Sequence, residues 1–366
     1  MTRSLVKTRA VVRLLATCLL SAGILWQLAR YDLLDLALIK SAFLHNKVWI
    51  GMSVCTVGIS SFLAGIRFHR LLALFSVQAS FKDALISGLL SQALGQWMPG
   101  SMAVGEVLRF GLMTGLAPRR NPVGHGLSIT GVKSRIGMVS LIDRFLGFGA
   151  MLSLGGLAAL ALLVQDGESV RASPAVPLLS AISLALGAAI LTMPLLSGSV
   201  MRRLLAFFRK AGVEETTPGA GSSLQRKGII PRTMRWLRMM VETLGTNTTR
   251  RNWVVIPLLI SAGIAIVNPL SFYLSALAIG RPIPFPIILA AAPFTYIAVL
   301  LPLGFAGYGG QQLVVAGVFA LLGVSPETVV ATSLLQTTIV LAVQTFLGGA
   351  GAVLSLDRLR AILKSL

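Results

Sequence analysis

The chain has 366 residues, 55% of them hydrophobic and only 12% charged, with a mean hydropathy of +0.83. That composition excludes a soluble domain, and runs such as 253–279 and 328–356 exceed what a hydrocarbon core of about 30 Å requires. The 32 Lys and Arg against 12 Asp and Glu leave a net +20, which in a soluble chain would suggest nucleic acid; here the basic residues lie in loops between apolar runs, so they point to topology and to anionic phospholipid headgroups and away from a nucleic-acid partner.

Taken in chain order, Arg3, Lys7, Arg9 and Arg13 precede an apolar run over 14–29. No small-residue cleavage site follows, so a first, uncleaved span over 12–29 is predicted, with the N-terminus inside. A second span over 48–66 returns to an inner loop carrying Arg67, Arg70 and Lys82. The next apolar segment is short and runs into a Pro/Gly break: Pro99, Gly100, then Gly105 and Glu106. If it crossed fully, Arg109, Arg119, Arg120, Lys133 and Arg135 would fall outside; a re-entrant hairpin over 84–116 keeps them inside. Spans over 137–164 and 176–197 follow, and the second leads into the most basic stretch of the chain, a predicted cytoplasmic loop over 198–252.

The second half repeats this plan inverted. A span over 253–279 leads out, a second broken hairpin over 287–324 contains Pro302, Gly304, Gly307, Gly309 and Gly310, and a span over 327–354 returns to a basic C-terminal end. The expected fold is an all-α polytopic membrane helix bundle of two inverted repeats, 1–164 and 176–356, with 198–252 lying inside the second; a count with both hairpins fully crossing stands as the alternative. In the basic loop, 200–210 and 231–244 mix basic and apolar positions at helical spacing, which suits either the inner headgroup surface or a solvated connector.

Charges inside spans cost roughly 2.5–3.5 kcal/mol on insertion scales, so those present are candidates for function. Glu106 and Arg109 are three apart on one helix face, and Asp143 and Arg144 interrupt an otherwise apolar run over 136–164. Each pair reads either as a substrate contact or as mutual neutralisation that fixes packing. The glycines of the two breaks read either as close helix contacts or as tight reversals whose freed amides could meet a lipid phosphate. Gln311 and Gln312 add neutral polar capacity after the second break, while Tyr296 and Tyr308 suit interface anchors. Cys18 and Cys55 lie in predicted spans and form no disulfide framework; His45, His69 and His125 are scattered, so no metal or cofactor is expected.

Residues 94–113, LGQWMPGSMAVGEVLRFGLM, resemble the Pro-Gly, Gly-acidic, Leu-Arg motif of the membrane region of bacterial lysylphosphatidylglycerol synthases and their stand-alone relatives. Asp143-Arg144 falls where that family carries an acidic-Arg pair, and residues 301–335 are similar to its second Pro/Gly loop, following helix and Gly-Val-Ser-Pro-Glu turn, here Gly323 to Glu327. The chain departs from the pattern at Gln311-Gln312, where a charged pair is common, and at Gly147, where an acidic residue often stands. The resemblance implies a flippase-like domain in a bacterial inner membrane, with both termini cytoplasmic, moving a phospholipid or polyprenyl-linked headgroup between leaflets. It implies candidate positions at Pro99, Gly100, Gly105, Glu106, Arg109, Asp143, Arg144, Pro302, Gly307 and Gly309.

No enzymatic activity is expected, because synthase members add a large soluble transferase domain after the membrane region and this chain ends at Leu366. Alternatives to translocation are a non-transporting subunit that supports an envelope-biosynthesis enzyme through the basic loop, and a proton-coupled porter of a small solute using Glu106 or Asp143. Sequence leaves the substrate and the oligomeric state open.

Overall fold

The computed structural model describes residues 36–98, 101–116, 129–165, 175–192, 255–300 and 304–355, together with isolated positions between 18 and 30. Pro99, Gly100, Pro302 and the basic loop over 198–252 lie outside the described residues, as does most of the first predicted span. The described chain is helical: α1 (Leu36–His45), α2 (Lys47–Leu74), α3 (Phe81–Gln96), α4 (Ser101–Leu116), α5 (Ile129–Gln165), α6 (Ala175–Thr192), α7 (Val255–Ile279), α8 (Phe285–Leu300), α9 (Gly310–Ala320) and α10 (Pro326–Val353). The only strand pairing among the described residues is a two-residue antiparallel ladder, β1 (Gly304–Phe305) with β2 (Tyr308–Gly309).

Four stretches, Lys47–Leu74, Val132–Val164, Val255–Ile279 and Pro326–Val353, are long and apolar enough to cross a membrane. Large apolar side chains such as Val48, Phe62, Leu157, Leu259 and Phe346 stand exposed along them, a surface that only lipid would cover. The fold is thus the expected all-α membrane helix bundle. The limbs of the two predicted hairpins are shorter. Helices α3, α4 and α8 have 16 residues each and α9 has 11, so at about 1.5 Å per residue none matches a core of about 30 Å. Helix α2 runs two turns past its predicted end and takes Arg67 into the bundle. Helix α1 was not foreseen.

The packing repeats itself. Helix α2 lies along α7, α3 along α10 and α8 along α5, so the first limb of each hairpin packs on the last helix of the opposite half. In the first of these pairs the side chains meet in descending order: Asn46 donates to Ala278 O, Ser53 to Ser271 O, Ser60 to Asn268, and Arg67 to Ser261. The two helices are therefore antiparallel, and the halves they open, 47–165 and 255–353, are inverted relative to one another. The polar positions of α2 are seven apart, two helical turns, so they share one face and form a seam facing α7. Ser60 and Asn268, 2.5 Å apart, sit at its middle and mark the pseudo-two-fold axis.

Two close approaches show how well the halves match. A methyl group on Gly155 of α5 would fall 2.9 Å from Leu289 O and closer still to the ring of Pro293 in α8. One on Gly348 of α10 would fall 3.0 Å from Leu89 O and would overlap Ala93 in α3. Each half uses a glycine on its last helix to let the opposite hairpin limb touch backbone.

Candidate functional site

Five charged side chains from three helices converge inside the first half. Arg67 of α2 donates from Nε to Asp143 Oδ1 at 2.7 Å and from Nη1 to Ser261 Oγ at 3.0 Å. Arg109 of α4 reaches Asp143 Oδ2 at 3.1 Å and Glu106 Oε1 at 3.4 Å through Nη1. Arg144 of α5 donates from Nε to Glu106 Oε1 at 2.8 Å, closes on the same oxygen with Nη2, and lies 3.4 Å from the Tyr296 hydroxyl of α8 through Nη1. Tyr296 in turn stacks on Phe148, and the Arg109 guanidinium lies 3.3 Å over the ring of Phe68.

The fold dictates this arrangement. Successive residues on a helix point about 100° apart, so Asp143 and Arg144 cannot face one another and each finds its partner on another helix. The pairs suggested by sequence are therefore crossed: Asp143 neutralises Arg67 and Arg109, while Glu106 neutralises Arg144, and the Glu106 to Arg109 contact is the longest of the set. Gly147, one turn beyond Asp143, makes room for this. A side chain there would meet Arg67 Nη1 at 3.0 Å, so the absence of a Cβ admits the guanidinium that an acidic residue would otherwise have to accommodate. Gly105 likewise lets α4 approach the backbone of α3, since its Cβ would fall 3.1 Å from Ser91 O, and so seats Glu106.

The electrostatics are uneven. Among the described residues, three guanidinium groups face two carboxylates here, an excess of one positive charge in a low-dielectric interior. Arg67, Arg109 and Asp143 are almost wholly buried, with side-chain exposures of 6%, 6% and 1%, whereas Glu106 keeps 20% and Arg144 32%. The Glu106 to Arg144 pair is the open face of the cluster. Glu106 Oε2 and Arg109 Nε are buried without a hydrogen-bond partner among the described residues, one acceptor and one donor unused beside it. Such an arrangement can bind a group that brings both an anionic oxygen and a donor.

Of the residues singled out by sequence, Glu106, Arg109, Asp143 and Arg144 come together here. Gln311 and Gln312 do not: they lie on α9 behind the second break. Residues 304–309 form a two-residue hairpin in which Ala306 and Gly307 both take positive φ, 52° and 81°, as a type I′ turn demands. Gln312 Oε1 accepts from Gly309 N at 2.7 Å, and its amide donates to Gly307 O at 3.0 Å and approaches Thr337 Oγ1 at 3.4 Å. Gly304, Gly307, Gly309 and Gly310 thus build the loop itself. Tyr308 bonds to Thr338 at 2.8 Å, while Tyr296 belongs to the charged cluster and not to an interface belt. Arg67, Ser261 and Tyr296 were missed as site residues. The polar heptad Asn46, Ser53, Ser60, Arg67 was the available signal for the first two.

The inverted symmetry relates this cluster to a second, uncharged one. In the seam, the contact of Arg67 with Ser261 is answered by that of Ser275 with Ser53, 3.3 Å, and the pairing of Arg67 with Asp143 by that of Ser275 with Gln336, 2.8 Å. The bond from Arg144 to Glu106 is answered by the contact of Thr337 with Gln312. Where the first half carries ions, the second carries hydroxyls and carboxamides. Among the described residues no group of three His, Cys, Asp or Glu side chains could hold a metal ion.

No curated protein and no solved structure matches the chain. The family described as the lysylphosphatidylglycerol synthase TM region matches residues 14–348, nearly the whole chain including both hairpins and both clusters, and the protein belongs to that family.

Proposed function

We propose that this protein moves a phospholipid or lipid-linked headgroup between membrane leaflets, with the open face of the charged cluster as the headgroup site. The observation that supports the reading is the excess guanidinium: a buried cluster with one more guanidinium than carboxylate among the described residues, reachable at Arg144, is matched by one phosphodiester. A guanidinium offers paired donors to phosphate oxygens, and the unused Glu106 Oε2 is placed to accept from a hydroxyl or ammonium on the same headgroup. The short hairpin limbs support a path that enters the bilayer from both sides, since broken segments inside a membrane persist where they line a cavity. The same reading assigns the basic loops to the cytoplasmic face of a bacterial inner membrane.

The test is reconstitution into liposomes containing a fluorescent phosphatidylglycerol, with a membrane-impermeant quencher reporting how much label reaches the outer leaflet. Wild-type protein is expected to expose the inner-leaflet pool. Arg144→Ala, which removes the exposed guanidinium, is expected to slow exposure about tenfold at matched protein, the loss typical of one charged hydrogen-bonding partner. Wild-type vesicles behaving like protein-free ones would remove translocation and leave the role of a supporting membrane subunit.

A further inference from the structure

The second, uncharged cluster contains more polar capacity than its own packing uses. Gly307, at the tip of the second hairpin, is ringed by three side chains from three helices. A Cβ there would meet Thr337 Cγ2 at 3.0 Å, Gln311 Oε1 at 3.5 Å and Gln96 Oε1 at 4.0 Å. Gln96 belongs to the first hairpin, so this is where the two hairpins meet. One turn before it on α3, Gln92 has a buried side-chain oxygen with no hydrogen-bond partner among the described residues, and on α10 so does Gln344. The residue beside Gln344, Thr345, accepts from the indole Nε1 of Trp97 at 3.2 Å, which ties α3 to α10 and leaves Trp97 45% exposed.

A buried acceptor without a donor costs roughly 1–3 kcal/mol, and two on packed neighbouring helices are not expected unless something supplies donors. Along 84–98, 304–320 and 328–353 there is no Asp, Glu, Lys, Arg or His, so the missing donor need not be a cation drawn in by charge. Carboxamide oxygens beside an indole held by its edge suit a ligand with hydroxyl donors and a weakly apolar ring face. The symmetry adds an independent argument, because Thr337 and Gln312 occupy the positions that Arg144 and Glu106 hold in the charged half.

From this geometry we infer that the carboxamides of Gln92 and Gln96 on α3, Gln311 on α9 and Gln344 on α10, with Trp97, form a second headgroup subsite, which takes the uncharged, hydroxyl-rich portion of the lipid: a glycosyl or polyol group. The inference rests on the lipid-headgroup reading of the charged cluster and narrows it to lipids that carry both a phosphate and several hydroxyls.

Lipid binding, not transport, tests it. Purified full-length protein in nanodiscs is titrated with phosphatidic acid (phosphate only), glucosyl diacylglycerol (hydroxyls only) and phosphatidylinositol (both), following Trp fluorescence and retained lipid by mass spectrometry. The double variant Gln92→Ala, Gln344→Ala removes two acceptors that have no partner among the described residues, so it should fold and lose little thermal stability. It is expected to weaken glucosyl diacylglycerol and phosphatidylinositol about tenfold, the equivalent of one to two hydrogen bonds, and to leave phosphatidic acid unchanged. Arg144→Ala should do the reverse for phosphatidic acid and glucosyl diacylglycerol. Equal affinities of wild type and double variant for all three lipids, or an equal loss for phosphatidic acid, would overturn the subsite. Selective binding as expected with no leaflet exchange in liposomes would instead overturn translocation and leave the subsite in place.

Discussion

The two halves of this protein place equivalent helices in equivalent contacts and then fill the equivalent positions with opposite chemistry. In the first half α2, α4 and α5 meet through Arg67, Arg109, Asp143, Glu106 and Arg144; in the second, the corresponding meeting is made by Ser275, Gln336, Gln312 and Thr337, with Ser53 reaching across from α2. Helix packing therefore does not require the ions, since the same geometry is held by hydroxyls and carboxamides at far lower desolvation cost. The proposed headgroup site is what would give five charges in one half a use.

The largest expected effect tests that contrast directly. Asp143→Asn leaves Arg67 and Arg109 without a full counter-charge and should destabilise the bundle by about 3–5 kcal/mol, read as lost yield and a lower unfolding temperature in detergent. Adding Arg67→Met and Arg109→Met should restore much of the stability while abolishing lipid handling, because neutral packing suffices in the other half. If the triple variant stays unfolded, the ions are structural and the comparison fails.

Next come the paired glycines. Gly155→Val and Gly348→Val should each force apart a hairpin limb and the opposite final helix, costing about 1–3 kcal/mol as overpacking does. Similar losses in thermal unfolding would sharpen the symmetry; a harmless change at one site would show that the halves only look alike there. The mirror of the first experiment is milder still. Gln336→Ala removes hydrogen bonds to Ser275 and Ser53 and should cost about 1 kcal/mol. The seam's register can be checked with no energetic change in view: Ser60→Cys with Asn268→Cys, in a background lacking Cys18 and Cys55, should cross-link on mild oxidation, and Ser53→Cys with Ser261→Cys should not.

Much of this organisation was legible before any coordinates. Hydropathy and charge placed the all-α membrane bundle, because length against bilayer thickness and the position of Lys and Arg act locally along the chain. That Glu106 with Arg109 and Asp143 with Arg144 stand out as two candidate pairs followed from the cost of charge in lipid. Their actual pairing did not, since Asp143 and Arg144 are adjacent in sequence but bond to α2, α4 and α8 through faces that only the packing defines. Arg67 escaped for a related reason. Counting basic residues as loop markers assigned it to the inner loop after the span over 48–66, whereas α2 continues to Leu74 and buries it. Gly147 looked like a lost charge and is instead the space into which a neighbouring guanidinium fits.

The odd charge of the buried cluster has an electrical consequence. One elementary charge moved through the field of a membrane gains or loses about 2.3 kcal/mol per 100 mV. In the proposed translocation, the cluster filled by a monoanionic phosphodiester would be neutral and its passage across the field indifferent to voltage; empty, it would carry a unit positive charge and be drawn toward the negative side. The unloaded return, and not the loaded step, is then the one that an inside-negative potential biases, so collapsing that potential should alter the rate of net movement without altering affinity for the headgroup.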